Sequence, residues 1–414
     1  MLIGPLLLLS DRRHRSVLAL TMRRHFLPIF SNSPRIFELT EGSVQHDPAD
    51  PILNFIFDYY HFKNKQLLQW SPGLNAVLLG ADPARRGCPL PLKGWRPLPA
   101  DATNNDDGGG SSGGGGGGAG WLPKGDDDGT AGRYEAILAG PKRYVAAQWV
   151  RNFLDTTSAR PPALNCFGLH EWAMLYDEGG GGQSRHQALP LRVSQAELNA
   201  VIESGRLACT HFDAFRFFAN DARPLNPLAL TRERQAELDQ PGCLHTGMDL
   251  LKWALKLWPF LPSETLSACL THSIDCRVLD MRASPYDLSP WIERRRTAPA
   301  AVKKPALLKE GAATAPASAV AALAATSTEA AAMEAEWTIE AAVAAAATAS
   351  KPMAGRDRDL SPVKIETAEG RRQYQQIQMS LYYRSLPLRR LLIRDYNTFL
   401  EEYKAAEKST IHHD

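Results

Sequence analysis

The sequence lacks a long apolar run, a large net charge and a paired-cysteine motif. No stretch of about 18 consecutive apolar residues occurs, so we predict no membrane-spanning helix. The 47 lysines and arginines nearly balance 45 aspartates and glutamates, so bulk charge does not indicate a protein that coats nucleic acid. The six cysteines form no Cys-x-x-Cys pair and lie among apolar neighbours, which favours reduced thiols in an intracellular protein.

Acidic residues are also scarce in the first 46 residues, which are rich in arginine. Asp11 is the one acidic residue before Glu38. An arginine-rich leader that can form an amphipathic helix is typical of an organelle transit peptide, so a chloroplast or mitochondrial location is one expectation. The alternative is an unstructured extension with Met22 as the true start, which leaves the nucleus or cytoplasm as the location.

Two internal segments have too few large apolar side chains to form a core. Residues 101–132 contain the glycine run Gly113–Gly118, and residues 297–359 are rich in alanine. Glycine loses the most backbone entropy on ordering, so we predict a disordered insertion at the first segment. Alanine favours helix, so the second can form transient helix, but it has little apolar surface to dock and is also predicted to be a disordered insertion.

The rest of the chain has mostly helical periodicity. Asp50 and Pro51 begin one predicted helix, and Ser194 with Glu197 forms a capping box before another. Pro387 is expected to break the last helical segment. The predicted helices cover residues 50–60, 144–154, 198–202, 249–261, 264–281 and 371–403, and the one strand candidate is 189–193.

These patterns predict a mainly α fold with a single helical domain interrupted by the two insertions. In the predicted helix at 144–154, Trp149, Val150 and Phe153 share the apolar face. The predicted order along the chain is leader 1–46, first helical part 47–100, insertion 101–132, central part 133–296, insertion 297–359, closing helices 360–405 and tail 406–414.

The polar residues that suggest chemistry lie in the central part, between about Leu164 and Leu288, and are embedded among aromatic and aliphatic neighbours. Burying an imidazole or a carboxylate is costly unless it is paired, so such residues need a partner or a function. Because the clusters are widely separated in sequence, we interpret them as parts of one site. They are His170, Glu171, His186, His211, Asp213, His245 and Asp249.

One use of this set is a metal centre with zinc or non-haem iron. Neutral histidine nitrogens supply the ligands and a carboxylate completes or orients them. No His-Glu-x-x-His motif occurs, and Gly247 leaves it open whether His245 and Asp249 share a helix face. The candidate metal ligands are His170, His186, His211 and His245.

The second use is acid–base chemistry on a nucleobase or glycoside, which requires a carboxylate, a histidine and flat side chains. The candidate catalytic residues are Asp213, Asp249, His211, His245 and Glu171, with Asp280 as a further carboxylate that we expect to form a structural salt bridge. The candidate substrate contacts are Trp172, Phe212, Arg216, Arg223, Trp253 and Arg282. The alternative for Phe212, Phe215, Phe218 and His272 is that they are core residues without a role in the chemistry.

Five strings carry a family resemblance: residues 166–176 (CFGLHEWAMLY), 210–218 (THFDAFRFF), 223–226 (RPLN), 240–245 (QPGCLH) and 279–288 (LDMRASPYDL). They resemble a family of bacterial and plant-type proteins commonly named 3-methyladenine DNA glycosylase. The resemblance covers most of residues 50–300 and 363–390. It implies DNA as partner and base-excision repair as the process, and it assigns no catalytic residue.

The leading prediction is therefore a DNA repair N-glycosylase that flips out an alkylated purine and hydrolyses its N-glycosidic bond without a cofactor. Asp213 or Asp249 supports the attack of water, and His170, His211 or His245 assists. The alternative is a zinc- or iron-dependent hydrolase or oxygenase that is unrelated to DNA. A third class, a non-catalytic helical binding module, predicts neither metal nor released base.

Overall fold

The structure is a computed structural model that describes residues 8–10, 16–18, 50–61, 66, 71, 73–74, 95–97, 134–136, 140–177, 189–297 and 359–411. Helices dominate these residues, so the predicted mainly α fold is confirmed. Most of the leader and both predicted insertions, apart from residues 297 and 359, lie outside the described residues, and so does His186.

The helices are named α1 to α10 in chain order. They are α1 (Leu53–Tyr60), α2 (Pro141–Ser158), α3 (Leu169–Ala173), α4 (Gln195–Ser204), α5 (Phe212–Phe215), α6 (Gln235–Leu238), α7 (Leu244–Leu257), α8 (Ser263–Ala283), α9 (Ser289–Thr297) and α10 (Ala368–Ile411), with a 3-10 turn at Arg223–Leu225.

Two short antiparallel pairs accompany the helices. Strand β1 (Leu8–Ser10) pairs with β2 (Ser16–Leu18), and β3 (Trp95–Pro97) pairs with β4 (Tyr134–Ala136). The six described residues of the leader, 8–10 and 16–18, are thus extended. The strand predicted at 189–193 is not formed, because Leu191 makes only an isolated bridge to Tyr286.

Local sequence signals explain where several helices begin. The Asp50 carboxylate accepts hydrogen bonds from the backbone amides of Ile52 and Leu53 at 2.9 and 2.8 Å, which satisfies free donors at the start of α1. The capping box of Ser194 and Glu197 is present at the start of α4, as predicted. Pro141 occupies the first turn of α2, where its missing amide hydrogen costs nothing.

Helices α7 and α8 form the buried centre of the fold. Helix α7 begins at Leu244, earlier than predicted, and Gly247 lies inside it. A Cβ atom at Gly247 would lie 3.1 Å from His272 Nε2 and 3.2 Å from Cys276 Sγ on α8. Glycine therefore allows the two helices to approach closely, and this outweighs its low helix propensity.

The last helix, α10, packs along α2, α7 and α8. The predicted break at Pro387 is wrong, since α10 continues through it. Proline removes one helical hydrogen bond, but buried side chains on both sides of it, including Leu381, Leu388 and Leu392, hold the flanking turns against the core. Packing therefore outweighs the local cost of the proline. Among the helices that the structure describes, none combines the length and apolarity needed to cross a bilayer.

Candidate functional site

An open cleft of about 740 Å³ lies between α1, α2 and α7, with residues around α5 and α6 on its rim. Five cationic side chains and, among the described residues, one carboxylate line it. An anionic ligand is favoured by such a surplus of positive charge. The charged lining residues are Arg143, Arg216, Arg232, Lys252, Lys256 and Asp213.

Asp213 is the cleft carboxylate, in the first turn of the short helix α5. Its Oδ1 lies 3.4 Å from Arg232 and 3.5 Å from Arg216, and its Oδ2 lies 3.4 Å from Lys252. Asp213 is largely buried, whereas the guanidinium side chains of Arg216 and Arg232 remain substantially exposed. The carboxylate is thus fixed by three cations, two of which keep surface free for a ligand.

Aromatic side chains form another part of the cleft wall. Trp149 on α2 stacks on Phe153 at a centroid distance of 5.2 Å and contacts Trp253 of α7 at 5.8 Å. Two polar hydrogen-bond donors of the lining, the hydroxyl of Tyr59 and the indole nitrogen of Trp253, are buried without a hydrogen-bond partner among the described residues. Buried donors normally have partners, so a bound ligand or water is expected to accept from them.

Three of the four predicted histidines lie in a row behind this cleft. The ring centroids of His170 and His245 are 4.4 Å apart, and those of His211 and His245 are 5.2 Å apart. All three side chains are buried, and none lines the cleft. His170, His245 and His211 are therefore neighbours in the interior, while His186 is outside the described residues.

Asp249 and Lys252 on α7 connect His211 to the cleft. Nδ1 of His211 accepts a hydrogen bond from the amide of Ala214, so Nε2 carries the proton and lies 3.3 Å from Asp249 Oδ2. The same Asp249 oxygen lies 2.5 Å from Nζ of Lys252, which also contacts Asp213. A continuous polar chain therefore runs from the cleft carboxylate into the protein interior.

The pKa values along this chain follow from burial and charge. Burial alone would raise the pKa of Asp249, but Lys252 and His211 bring it well below its usual range. Burial alone would lower the pKa of Lys252, yet Asp249 and Asp213 raise it. Burial likewise opposes protonation of His211, whose pKa is nevertheless raised by Asp239 and by its hydrogen bond to Asp249. Lys252 is consequently a stable ammonium ion.

A second ion-pair network fills the interior beyond His245. His170 Nε2 lies 2.6 Å from Asp280 Oδ1, Arg277 binds the other oxygen of Asp280, and Arg277 lies 2.5 Å from Glu171. Burial would lower the pKa of His170, but the pair with Asp280 raises it well above its ordinary value. With His170 protonated, the four side chains carry two positive and two negative charges and are balanced without another ion.

His245 lies between the two networks and behaves differently. Burial, reinforced by the neighbouring His170, holds the pKa of His245 well below its ordinary value. The ring is therefore neutral, which is the form that can bind a metal.

His170, His245 and Asp280 are the described residues that could hold a metal, since one possible ligand atom of each lies within 4.8 Å of the others. Two imidazoles and a carboxylate suit zinc or non-haem iron. The fit has a cost, because a divalent ion would displace the proton between His170 and Asp280 and add positive charge beside Arg277. His211 was predicted as a ligand but is not part of this group. Asp280 is part of it, although a structural salt bridge was expected for that residue.

Four predicted substrate contacts do not line the cleft. Trp172 is fully buried, and its indole nitrogen donates to the carbonyl of Ala283 at 2.8 Å. Arg282 is buried against the segment before α10, where it binds Asp359. Phe212 packs against the core beneath the guanidinium of Arg232, and Arg223 donates to the carbonyl of Arg216.

Of the predicted site residues, Asp213, Arg216 and Trp253 are brought together in the cleft. Glu171 and Asp249 belong instead to the buried networks. Sequence reasoning missed Lys252, Arg232, Tyr59 and Trp149 as cleft residues. The spacing of Lys252, three residues after Asp249 on one helix, was a usable signal for an ion pair.

No protein-family model matches the chain, and neither curated protein sequences nor solved structures give a match. The glycosylase resemblance and the activity that it implies therefore stay predictions.

Proposed function

We propose that the protein is an N-glycosidic hydrolase that removes an alkylated purine, of the 3-methyladenine type, from DNA. The observation that carries this proposal is the position of Asp213 in an open cleft whose lining also contains five cations and two tryptophans. Base removal requires a carboxylate beside the sugar, flat surfaces for the base and cations for the phosphates. The cleft supplies all three kinds of group.

Asp213 is the catalytic carboxylate in this proposal. The bond between C1′ of the sugar and the purine nitrogen breaks, and the bonding electrons leave with the base. Positive charge develops on the sugar, and the Asp213 carboxylate stabilises it electrostatically. Water then bonds to C1′ and releases its proton to solvent by way of Asp213. The products are the free base and an abasic sugar, with no oxidant or cofactor required.

Lys252 and Asp249 act as positioning residues. The ammonium of Lys252 holds Oδ2 of Asp213 at 3.4 Å while Asp249 fixes the ammonium. His211 supports Asp249 from the interior. His170, His211 and His245 do not line the cleft. In this proposal a histidine therefore assists only indirectly, with His211 acting through Asp249 and Lys252.

The test is release of base from methylated duplex DNA incubated with the purified full-length protein. We expect free 3-methyladenine in the supernatant, and at least a hundredfold less with Asp213→Asn, a loss of the order seen when a key electrostatic group is removed. Asp221→Asn is the matched control, since Asp221 is exposed and does not line the cleft. Absence of release by the wild-type protein, or equal release by Asp213→Asn, would refute the proposal.

The metal-dependent enzyme is the second candidate, favoured by the grouping of His170, His245 and Asp280. It predicts stoichiometric zinc or iron in untagged protein, with metal content reduced by His245→Ala. The glycosylase proposal instead predicts that base release is unchanged after treatment with a chelator. Loss of base release on chelation, restored by adding the metal back, would favour this second candidate.

A further inference from the structure

Trp149 is unusually exposed for a tryptophan whose ring is held in place by packing. It is 46% exposed, although Phe153 stacks on it and Trp253 contacts it. Val145, one turn earlier on α2, is 61% exposed. The sequence pattern predicts Trp149 to face the core; the structure instead has it on the wall of the cleft.

An exposed, fixed aromatic ring beside cations is the combination that binds unpaired nucleotides. The face of the ring stacks on a base whatever its sequence, and the cations bind the phosphates that flank it. Arg232, whose side chain is 63% exposed, is held over Phe212 at 5.1 Å, and Arg216 is held over Phe217 at 4.4 Å. Both guanidinium groups are thus oriented in advance, which lowers the entropy cost of binding.

We propose that Trp149 is the stacking residue that receives an unpaired base of DNA at this cleft, while Arg216 and Arg232 bind the phosphates of the same strand. This inference rests on the proposed function in taking DNA as the ligand. It adds the residue that receives the extrahelical base. A paired duplex presents no free base face to Trp149, so the cleft selects DNA with an extrahelical nucleotide.

The test uses undamaged DNA, so that binding is measured without catalysis. A fluorescein-labelled duplex with one unpaired thymidine is compared with the fully paired duplex by fluorescence anisotropy. We expect the wild-type protein to prefer the unpaired thymidine, and Trp149→Ala to weaken binding to it by roughly tenfold, the order of one lost base stack. Trp149→Phe keeps an aromatic face and is expected to retain most of the preference.

Tyr383→Ala is the matched control. Tyr383 is an aromatic residue on α10 that is 60% exposed and does not line the cleft. Its loss is expected to leave both affinities unchanged. The inference is overturned if the wild-type protein shows no preference, or if Trp149→Ala and Tyr383→Ala behave alike while circular dichroism shows both to be folded.

The two proposals can fail separately. A preference for unpaired thymidine that depends on Trp149, without any release of methylated base, would refute the hydrolase and leave the stacking site standing. If Trp149→Ala changes neither the release of base nor the affinity for the duplex with the unpaired thymidine, the stacking role is refuted and the hydrolase proposal stands.

Discussion

His170 Nε2 and Asp280 Oδ1 lie 2.6 Å apart in the core, joining α3 to α8, and neither side chain has appreciable access to solvent. Arg277 and Glu171 extend the pair into a balanced network of four charges. Such a network stabilises the fold only while it is complete, since a charge left alone in the interior keeps its desolvation cost without compensation.

Asp280→Asn is expected to lower the free energy of unfolding by about 3 kcal/mol, because it leaves His170 and Arg277 without their shared carboxylate. Urea denaturation measures the change. Asp359→Asn is the matched control: Asp359 pairs with Arg282, but its side chain is 63% exposed, so a loss below about 1 kcal/mol is expected. Equal losses for the two variants would contradict a stabilising role for the buried network.

The pH dependence of stability should change in opposite directions when His170 or His245 is replaced by glutamine. The pKa of folded His170 is raised above the unfolded value of about 6.5. Its contribution is therefore complete below about pH 6.5 and is lost as the pH rises through the folded pKa. The difference between wild type and His170→Gln should accordingly shrink in alkaline solution.

For His245 the folded pKa is lowered, so the wild-type protein loses stability as the pH falls below about 6.5. His245→Gln removes that loss, and its unfolding free energy should depend less on pH between about 6.5 and more acidic values. Urea denaturation of the wild-type protein and both variants over a pH series measures how each unfolding free energy depends on pH. A parallel response of the two variants would be inconsistent with the opposite pKa directions.

Lys252 should not form a covalent intermediate with DNA. An amine attacks C1′ only when it is neutral, and Asp249 and Asp213 raise the pKa of Lys252 despite its burial. Incubation with methylated DNA and sodium borohydride is expected to trap no protein–DNA adduct while base release continues. A trapped adduct that disappears in Lys252→Arg would show that Lys252 is the nucleophile. The amine, and not water, would then attack C1′.

The salt dependence of DNA binding should report on Arg216 and Arg232. Each phosphate contact releases counterions, so Arg216→Gln or Arg232→Gln should reduce the slope of log affinity against log salt concentration by about 1. Arg206→Gln is the control, because Arg206 is exposed and does not line the cleft. Anisotropy titrations at several salt concentrations measure the slope, and an unchanged slope in both cleft variants would argue against phosphate contacts there.

Local patterns in the sequence predicted local structure well. The capping box at Ser194 and the hydrogen bonds that Asp50 accepts before α1 depend on neighbours within a few residues, and both are present. The continuity of α10 through Pro387 was not predictable in this way, because distant packing partners decide it. Periodicity also failed at Trp149, since a cleft wall and a core present the same apolar pattern.

The sequence indicated which types of residue the candidate site contains. It did not indicate which of them line the cleft and which lie in the buried ion-pair networks. The polar clusters of the sequence pointed to His170, His211 and His245, which lie next to one another in the structure but do not line the cleft. Sequence could not separate Asp213, which lines the cleft, from Asp249 in the interior, because the difference comes from how α5 and α7 are arranged. The partnership of Glu171 with Arg277 joins residues that are 106 positions apart, and no spacing rule reaches that far.

The position of α10 after α2, α7 and α8 in the sequence has a consequence for biosynthesis. A ribosome completes α2, α7 and α8 well before residues 368–411 are made, yet α10 covers apolar surface on all three. The nascent chain therefore exposes apolar surface until α10 has been translated, which is the situation in which chaperones bind. A premature stop codon anywhere before α10 should yield an aggregating fragment rather than a shortened working protein.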